Sequence, residues 1–381
     1  MRVGDIEIIF REGIMDKTIY ILGAGFSKGL GAPIQSEIIK YIFEITPNDY
    51  LPDIYYSYRN EIATFLEESF FISRDQFPDI SLEDVYTPLD RCIIDNGSFR
   101  NINKSKLLEI RQKINALIIM MLQHKLKNVP HDNYIDKFAK YLVKIKRNMK
   151  NYNDPFAIIS LNWDILIDNA LFNEIDPKKG VVDYCCHITP YNPNKNIEPG
   201  LLARGKGKYN IKLLKIHGSL NWLQCIRCQR LFVTFDEKIA VNEFLTIPDC
   251  RLCNKNFPLE KINGDKALLV SQLIMPTFLK DLNNVQLKLM WQNAGIELSE
   301  ANKIVFLGYS FPAADFELRQ LLARSVRHNA EIEFVLRHND IPVDEKVDSP
   351  AKRFRNFFGK RKVTPFYEGV EEYINTLTNA I

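Results

Sequence analysis

Six short, continuous apolar runs constrain this chain more than any other feature: "IYILG" (19–23), "FAIISLN" (156–162), "LLKIHG" (213–218), "ALLVS" (267–271), "KIVFLG" (303–308) and "IEFVL" (332–336). A strand with one wet face alternates apolar and polar residues. Runs without alternation need cover on both faces, which a parallel sheet sandwiched by helices provides. Helical patterns separate these runs, so the expected fold is α/β, a Rossmann-like doubly wound parallel sheet. At 381 residues, 46% of them hydrophobic, the chain has enough material for a large core.

Two excursions interrupt the pattern. From Gln35 to Asn151 there is almost no strand-like run, and "SKLLEIRQKINALIIMMLQHKLK" (105–127) repeats its apolar residues at helical spacing. A helical insertion over 35–151 is expected. The second, 219–265, has four cysteines, Pro-led turns and little strand character, and reads as a small looped-out module. The Rossmann-like domain would then start at 1–34, continue over 152–218 and finish with 266–381.

Three strand ends carry candidate chemistry. In "IYILGAGFSKG" an apolar run meets Gly23-Ala24-Gly25 and then Ser27, a turn that brings backbone close to a phosphate because glycine has no Cβ. The same turn also serves packing alone. "IISLNWDILIDNAL" (158–171) puts Asn162 and Asp164 at the carboxyl end of a strand, where open α/β sheets bind ligands, although Asp164 also suits a helix cap. "LLKIHGSLNW" (213–222) puts His217 at the same presumed edge. Separately, Cys225-x2-Cys228 and Cys250-x2-Cys253, with twenty-one residues between the pairs, present four thiolates for a closed, structural Zn²⁺ site.

In this order the motifs resemble those of the sirtuin superfamily: GAGFS its phosphate loop, SLNWD its Asn-x-Asp segment, KIHGS its catalytic His segment, and the paired CxxC its zinc module. "VFLGYSFPAADFELRQLL" (305–322) is similar to its later glycine-serine turn, and "VLRHND" (335–340) to the strand followed by a ribose-binding Asn. The resemblance implies NAD+ as substrate, with Asn162, His217 and Asp164 catalytic and Gly23, Ala24, Gly25, Ser27, Gly308, Ser310 and Asn339 holding the cofactor. After the phosphate loop, however, Gly31-Ala32-Pro33-Ile34-Gln35-Ser36 stands where deacetylating members have G-I-P-D-F-R, and "LIMPTFLKD" (273–281) replaces their acetyl-lysine wall. The pattern instead resembles bacterial sirtuin-like NAD+ hydrolases of antiphage defence, among them the partner of HerA-type ATPases. NAD-dependent protein deacylation is the alternative; a nucleotide sensor and a zinc-containing DNA-binding module are the further ones.

Charge and composition narrow the partners. Fifty Lys and Arg against forty-seven Asp and Glu leave +3, too little to mark a nucleic-acid binder, and the basic "AKRFRNFFGKRK" (351–362) reads as a solvated, partner-facing loop. No run approaches the ~18 apolar residues of a membrane span, and "MRVGDIEIIFREG" lacks a signal-peptide core. A cytoplasmic location is expected, with Cys92, Cys185 and Cys186 as ordinary thiols. A homo-oligomer is also expected, with aromatic residues of the helical insertion such as Tyr55, Tyr56, Tyr58, Phe65, Phe70 and Phe71 as interface candidates.

Overall fold

The computed structural model describes residues 16–46, 51–148, 154–191, 208–233, 248–260, 266–275, 284–337 and 348–379. Its strands, in chain order, are β1 (Thr18–Leu22), β2 (Phe156–Ser160), β3 (Gly180–Asp183), β4 (Thr189–Pro190), β5 (Tyr209–Lys215), β6 (Gly218–Cys225), β7 (Leu231–Val233), β8 (Leu269–Leu273), β9 (Lys303–Leu307), β10 (Glu331–Val335) and β11 (Val363–Phe366). Seven of them form one sheet in the order β11-β10-β9-β1-β2-β5-β3, and every pairing in it is parallel. This is the doubly wound α/β sheet that the uninterrupted apolar runs predict. All five residues of β2 are buried, as are the last four of β1 and of β9.

The first strand lies in the middle. The chain winds from it towards β2, β5 and β3 on one side and later towards β9, β10 and β11 on the other. Helical crossovers therefore leave in opposite directions next to β1, which opens a crevice at its carboxyl end. The register places Leu22 level with Ser160 and Leu307, and Ser160 level with Lys215. Residues 23, 161, 216 and 308 thus begin their loops at one height.

The run at 267–271 departs from expectation. Leu269–Leu273 is no part of the parallel sheet but pairs antiparallel with β6, in a second sheet ordered β4-β7-β6-β8. Of this strand only Leu269 is buried, so the apolar run marks a half-covered strand and not one enclosed on both faces. The cysteine-bearing excursion is likewise not poor in strands: all eight residues of β6 are buried, and Leu223, Cys225, Phe232, Cys250, Cys253, Ala267 and Leu269 make a small core.

Four helices, Ile38–Glu44, Asp53–Phe70, Leu82–Ile94 and Lys104–Lys125, surround a second large core. The last is its axis, with every residue from Ala116 to Leu122 buried and Asn103 capping its start through the Lys106 amide at 3.0 Å. The helix Tyr134–Asn148 belongs with the parallel sheet instead, and its Phe138 meets Tyr20 edge-on at 5.2 Å. Most of the proposed interface aromatics are used internally. Tyr55 and Phe65 are buried in the helical core, Tyr56, Tyr58 and Phe70 are half-buried, and of the six only Phe71 is exposed.

The basic stretch is not a solvated loop. Pro350–Phe358 is a helix whose Ala351, Phe354 and Phe358 are buried on one face while the cations occupy the other, and Phe354 stacks on Phe334 at 4.7 Å. Among the described residues no helix is long and apolar enough to cross a membrane.

Candidate active site

The carboxyl edge of the parallel sheet holds a cleft of about 380 Å³. Its walls come from the loops after β1 (Gly23, Ala24, Gly25), β2 (Asn162, Asp164), β5 (His217), β9 (Gly308, Ser310, Asp315) and β10 (Arg337). The helical layer roofs it with Ile38, Glu83 and Leu122. Five strand ends thus converge on one space at the topological switch point, the position at which such sheets bind ligands.

The glycines have a reason besides ligand approach. Gly23 donates to the Leu307 carbonyl at 3.0 Å and Gly25 to that of Gly308 at 2.8 Å, so the turns after β1 and β9 are stitched backbone to backbone. A Cβ on Gly308, whose φ is +64°, would lie 2.3 Å from Gly25 C and Phe26 N, and one on Gly25 would lie 2.7 Å from Gly308 O. No side chain fits at this seam. With those amides engaged, Ala24, whose amide donates to no backbone oxygen among the described residues, also lines the cleft.

Asn162 is 7% exposed and fixed from one side only. Its Nδ2 donates to the Gly23 carbonyl at 3.0 Å and to Ser27 Oγ at 3.3 Å, while its Oδ1 is buried without a partner. Buried polar atoms are almost always paired, so this open acceptor beside the cleft stands out. Ser27 is itself 1% exposed and does not line the cleft; its hydroxyl reaches the Asp164 carboxyl and so locks Asn162 and Asp164 together.

Asp164 Oδ1 accepts from the Leu166 amide at 3.1 Å. Burial nevertheless raises its pKa, against the opposing pull of the Lys215 ammonium. Beneath it runs a sealed network: Lys215 Nζ donates to the Asp164 carbonyl at 2.5 Å and to Asp168 Oδ2 at 2.8 Å, and the Tyr184 hydroxyl donates to Asp168 Oδ1 at 2.6 Å. Lys215 and Asp168 have no exposed side-chain surface, so losing either partner would strand a buried charge.

A carboxyl whose pKa is higher in the folded than in the unfolded chain penalises the fold once pH rises through the folded value. Asp164→Asn keeps an acceptor for the Leu166 amide and removes that penalty. The variant is therefore expected to melt above the parent at pH 8 and level with it at the lowest pH where both fold, by thermal denaturation followed across pH. A variant that melts below its parent at pH 8 would show that the charge stabilises the fold.

His217 is pinned where the two sheets join. Its carbonyl accepts from the Ile274 amide at 2.9 Å, the Trp291 indole donates to the preceding Ile216 carbonyl at 3.0 Å, and Gly218 turns the chain at φ +80°. A Cβ on Gly218 would lie 2.0 Å from the Gln272 carbonyl oxygen, so glycine is required for this turn. The ring lies with Nδ1 3.3 Å from the Leu161 carbonyl and Nε2 3.8 Å from Asp315 Oδ1.

Two acidic residues of the cleft are not among those the motifs single out. Asp315 precedes a helical pattern and reads as an N-cap; Glu83 sits in the first turn of a helix, where a carboxylate suits the dipole. Each has an ordinary explanation that conceals its position. Burial, with Asp84 and Asp315 nearby, raises the Glu83 pKa. Of the residues expected at the site, Gly23, Ala24, Gly25, Asn162, Asp164, His217, Gly308 and Ser310 line one cleft, Ser27 lies behind it, and Asn339 falls outside the described residues.

The four cysteines meet as their spacing predicts. The sulfurs of Cys225, Cys228, Cys250 and Cys253 lie within 4.8 Å of one another, with Cys225 and Cys253 3.8 Å apart. Zn–S bonds of ~2.3 Å in a tetrahedron separate sulfurs by roughly that distance. The amides of Arg227 and Cys228 both point at Cys225 Sγ from 3.4 Å, an arrangement that supports a thiolate. The cluster fits a structural zinc with no open position.

No family model matches the chain, and no curated protein matches it. Among solved structures, one described as giving the structural basis for the mechanism and regulation of Sir2 enzymes aligns at 12% identity and a TM-score of 0.43, over 96% of this chain and 92% of its own. A Sir2 mutant with a p53 peptide and NAD aligns at 16% identity and 0.38, over 95% and 92%. A Sir2 homologue mutant in complex with ADP-ribose gives 14% and 0.40, over 96% and 91%. Scores this low decide nothing about chemistry.

Proposed function

We propose that the protein hydrolyses NAD+ at the nicotinamide–ribose bond, releasing nicotinamide and ADP-ribose. The observation that carries this reading is the convergence of GAGFS, SLNWD, KIHGS and the glycine-serine turn, each similar in sequence to a sirtuin motif, on one cleft at the switch point. That breadth suits an extended dinucleotide.

In this reading the Ala24 amide and the Gly308–Ser310 turn hold the phosphate and adenosine half, with Asn339 on its ribose. Asp164 accepts from the nicotinamide amide. The open Asn162 Oδ1 orients water or a ribose hydroxyl at the anomeric carbon. The C–N bond breaks with its electron pair going to the ring nitrogen, water oxygen bonds to the carbon, and His217 takes the released proton. Asp315, which lines the cleft beside His217, favours the positive charge that develops on the ribose. Acyl-lysine transfer through the same site is the competing chemistry, and an acyl-peptide added beside water separates the two.

The biological setting we propose is NAD+ depletion in a phage-infected bacterial cytoplasm, by a homo-oligomer that depends on a HerA-like ATPase. It rests on the sequence resemblance together with the need to gate an enzyme that destroys a central cofactor. Light scattering and NAD+ turnover, measured with and without that ATPase, test the setting. A fully active monomer would refute it.

A further inference from the structure

We propose that Asp315 is the positioning residue for His217, a Tyr309–Asp315–His217 relay that holds the imidazole and its proton for the reaction assigned above. Asp315 stands at the start of the helix Phe316–Ser325, yet its side chain makes no capping bond to that helix. A buried carboxylate, 6% exposed, that leaves helix amides uncapped is committed elsewhere. Its Oδ2 accepts from the Tyr309 hydroxyl at 2.8 Å, and its Oδ1 faces His217 Nε2 at 3.8 Å.

The loop carrying it is fixed from several sides. Gly308 and Phe311 both take left-handed backbone conformations, Phe311 is fully buried against Phe354 and Phe357, and Arg353 Nε and Nη2 grip the Ser310 carbonyl at 3.1 and 2.9 Å. Strained conformers persist where the surroundings over-determine them. Burial and the charge of Asp315 push the Tyr309 hydroxyl well above its ordinary pKa, so it remains a donor to the carboxylate. With Nδ1 against the Leu161 carbonyl, Nε2 is the nitrogen that takes a proton, and a carboxylate facing it favours the protonated imidazole.

The other charged groups around His217 are Asp164 on the loop after β2, Glu83 on the roof, Arg337 after β10, and Lys28, which pairs with Glu37 at 2.5 Å. Arg319 and Arg353 act on Tyr309 from their helices.

Asp315→Asn keeps shape and removes charge, and it is read in two ways. By ¹⁵N-resolved imidazole NMR, with His217 assigned by the signal lost in His217→Gln, the pH at which His217 titrates is expected to fall by on the order of one unit. In turnover, kcat should fall roughly 10²-fold with KM little changed, and the rising limb of the pH profile should move to lower pH. Asp315→Glu should restore part of both, and circular dichroism confirms that each variant is folded. An unchanged His217 titration in folded Asp315→Asn overturns the relay. The NMR arm needs no substrate: a shifted titration in a protein that never cleaves NAD+ supports the coupling and refutes the assigned reaction instead.

Discussion

Asn162→Ala and His217→Ala are each expected to reduce NAD+ turnover by ~10²–10⁴-fold, the usual cost of losing a positioned acid-base or orienting group. Both residues stand on loops just past strand ends, outside the apolar runs that build the sheet. His217→Ala should therefore leave the melting temperature nearly unchanged. Asn162→Ala frees the Gly23 carbonyl from its 3.0 Å partner and should cost about 1 kcal/mol of stability, small beside the loss of rate. Continuous assay of nicotinamide release, paired with thermal denaturation, reads both effects. Near-parental turnover in either folded variant would remove that residue from the chemistry.

The second large effect concerns the metal. Cys225→Ser or Cys253→Ser should abolish zinc binding, because each sulfur is one vertex of a four-ligand set with no substitute beside it among the described residues. The consequence should reach the cleft: β6 begins at Gly218, directly after His217, and β8 returns to the His217 carbonyl through Ile274. Loosening that small sheet loosens the corner that carries the imidazole. Elemental analysis of protein purified without chelators should find one zinc per chain in the parent and none in the variants, with faster proteolysis of the small sheet and lower turnover. A parent protein free of zinc would refute the assignment.

Much of this arrangement is legible from residues alone, for physical reasons. Continuous apolar runs such as "FAIIS" declare a strand buried on both faces, and glycines at Gly23 and Gly25 declare a close approach. What the approach serves is less legible: those glycines admit the Gly308 backbone, a contact between residues nearly three hundred positions apart in sequence. Short strands of mixed character, Gly180–Asp183 and Val363–Phe366, earn their place from neighbours rather than from their own pattern. The "AKRFRNFF" stretch looks solvated because its cations dominate the composition, yet phenylalanines at helical spacing bury one face.

The site follows the same division. Asn162, Asp164 and His217 are visible because each follows closely on an apolar strand, whereas Asp315 and Glu83 begin helices, where carboxylates are ordinary. Only the fold shows that both face the cleft. The unpartnered Asn162 Oδ1 is likewise a fact of packing that no motif contains.

The central claim is that this cleft cleaves NAD+ with water, and product analysis tests it most directly. Purified, zinc-loaded protein, alone and with the HerA-like ATPase, is incubated with NAD+ and the mixture separated by chromatography. The account predicts nicotinamide and ADP-ribose in equal amounts without any peptide, and at least ~10²-fold less of both in the same time with His217→Ala. NAD+ left intact under both conditions, or consumed only when an acyl-lysine peptide is added, would contradict it.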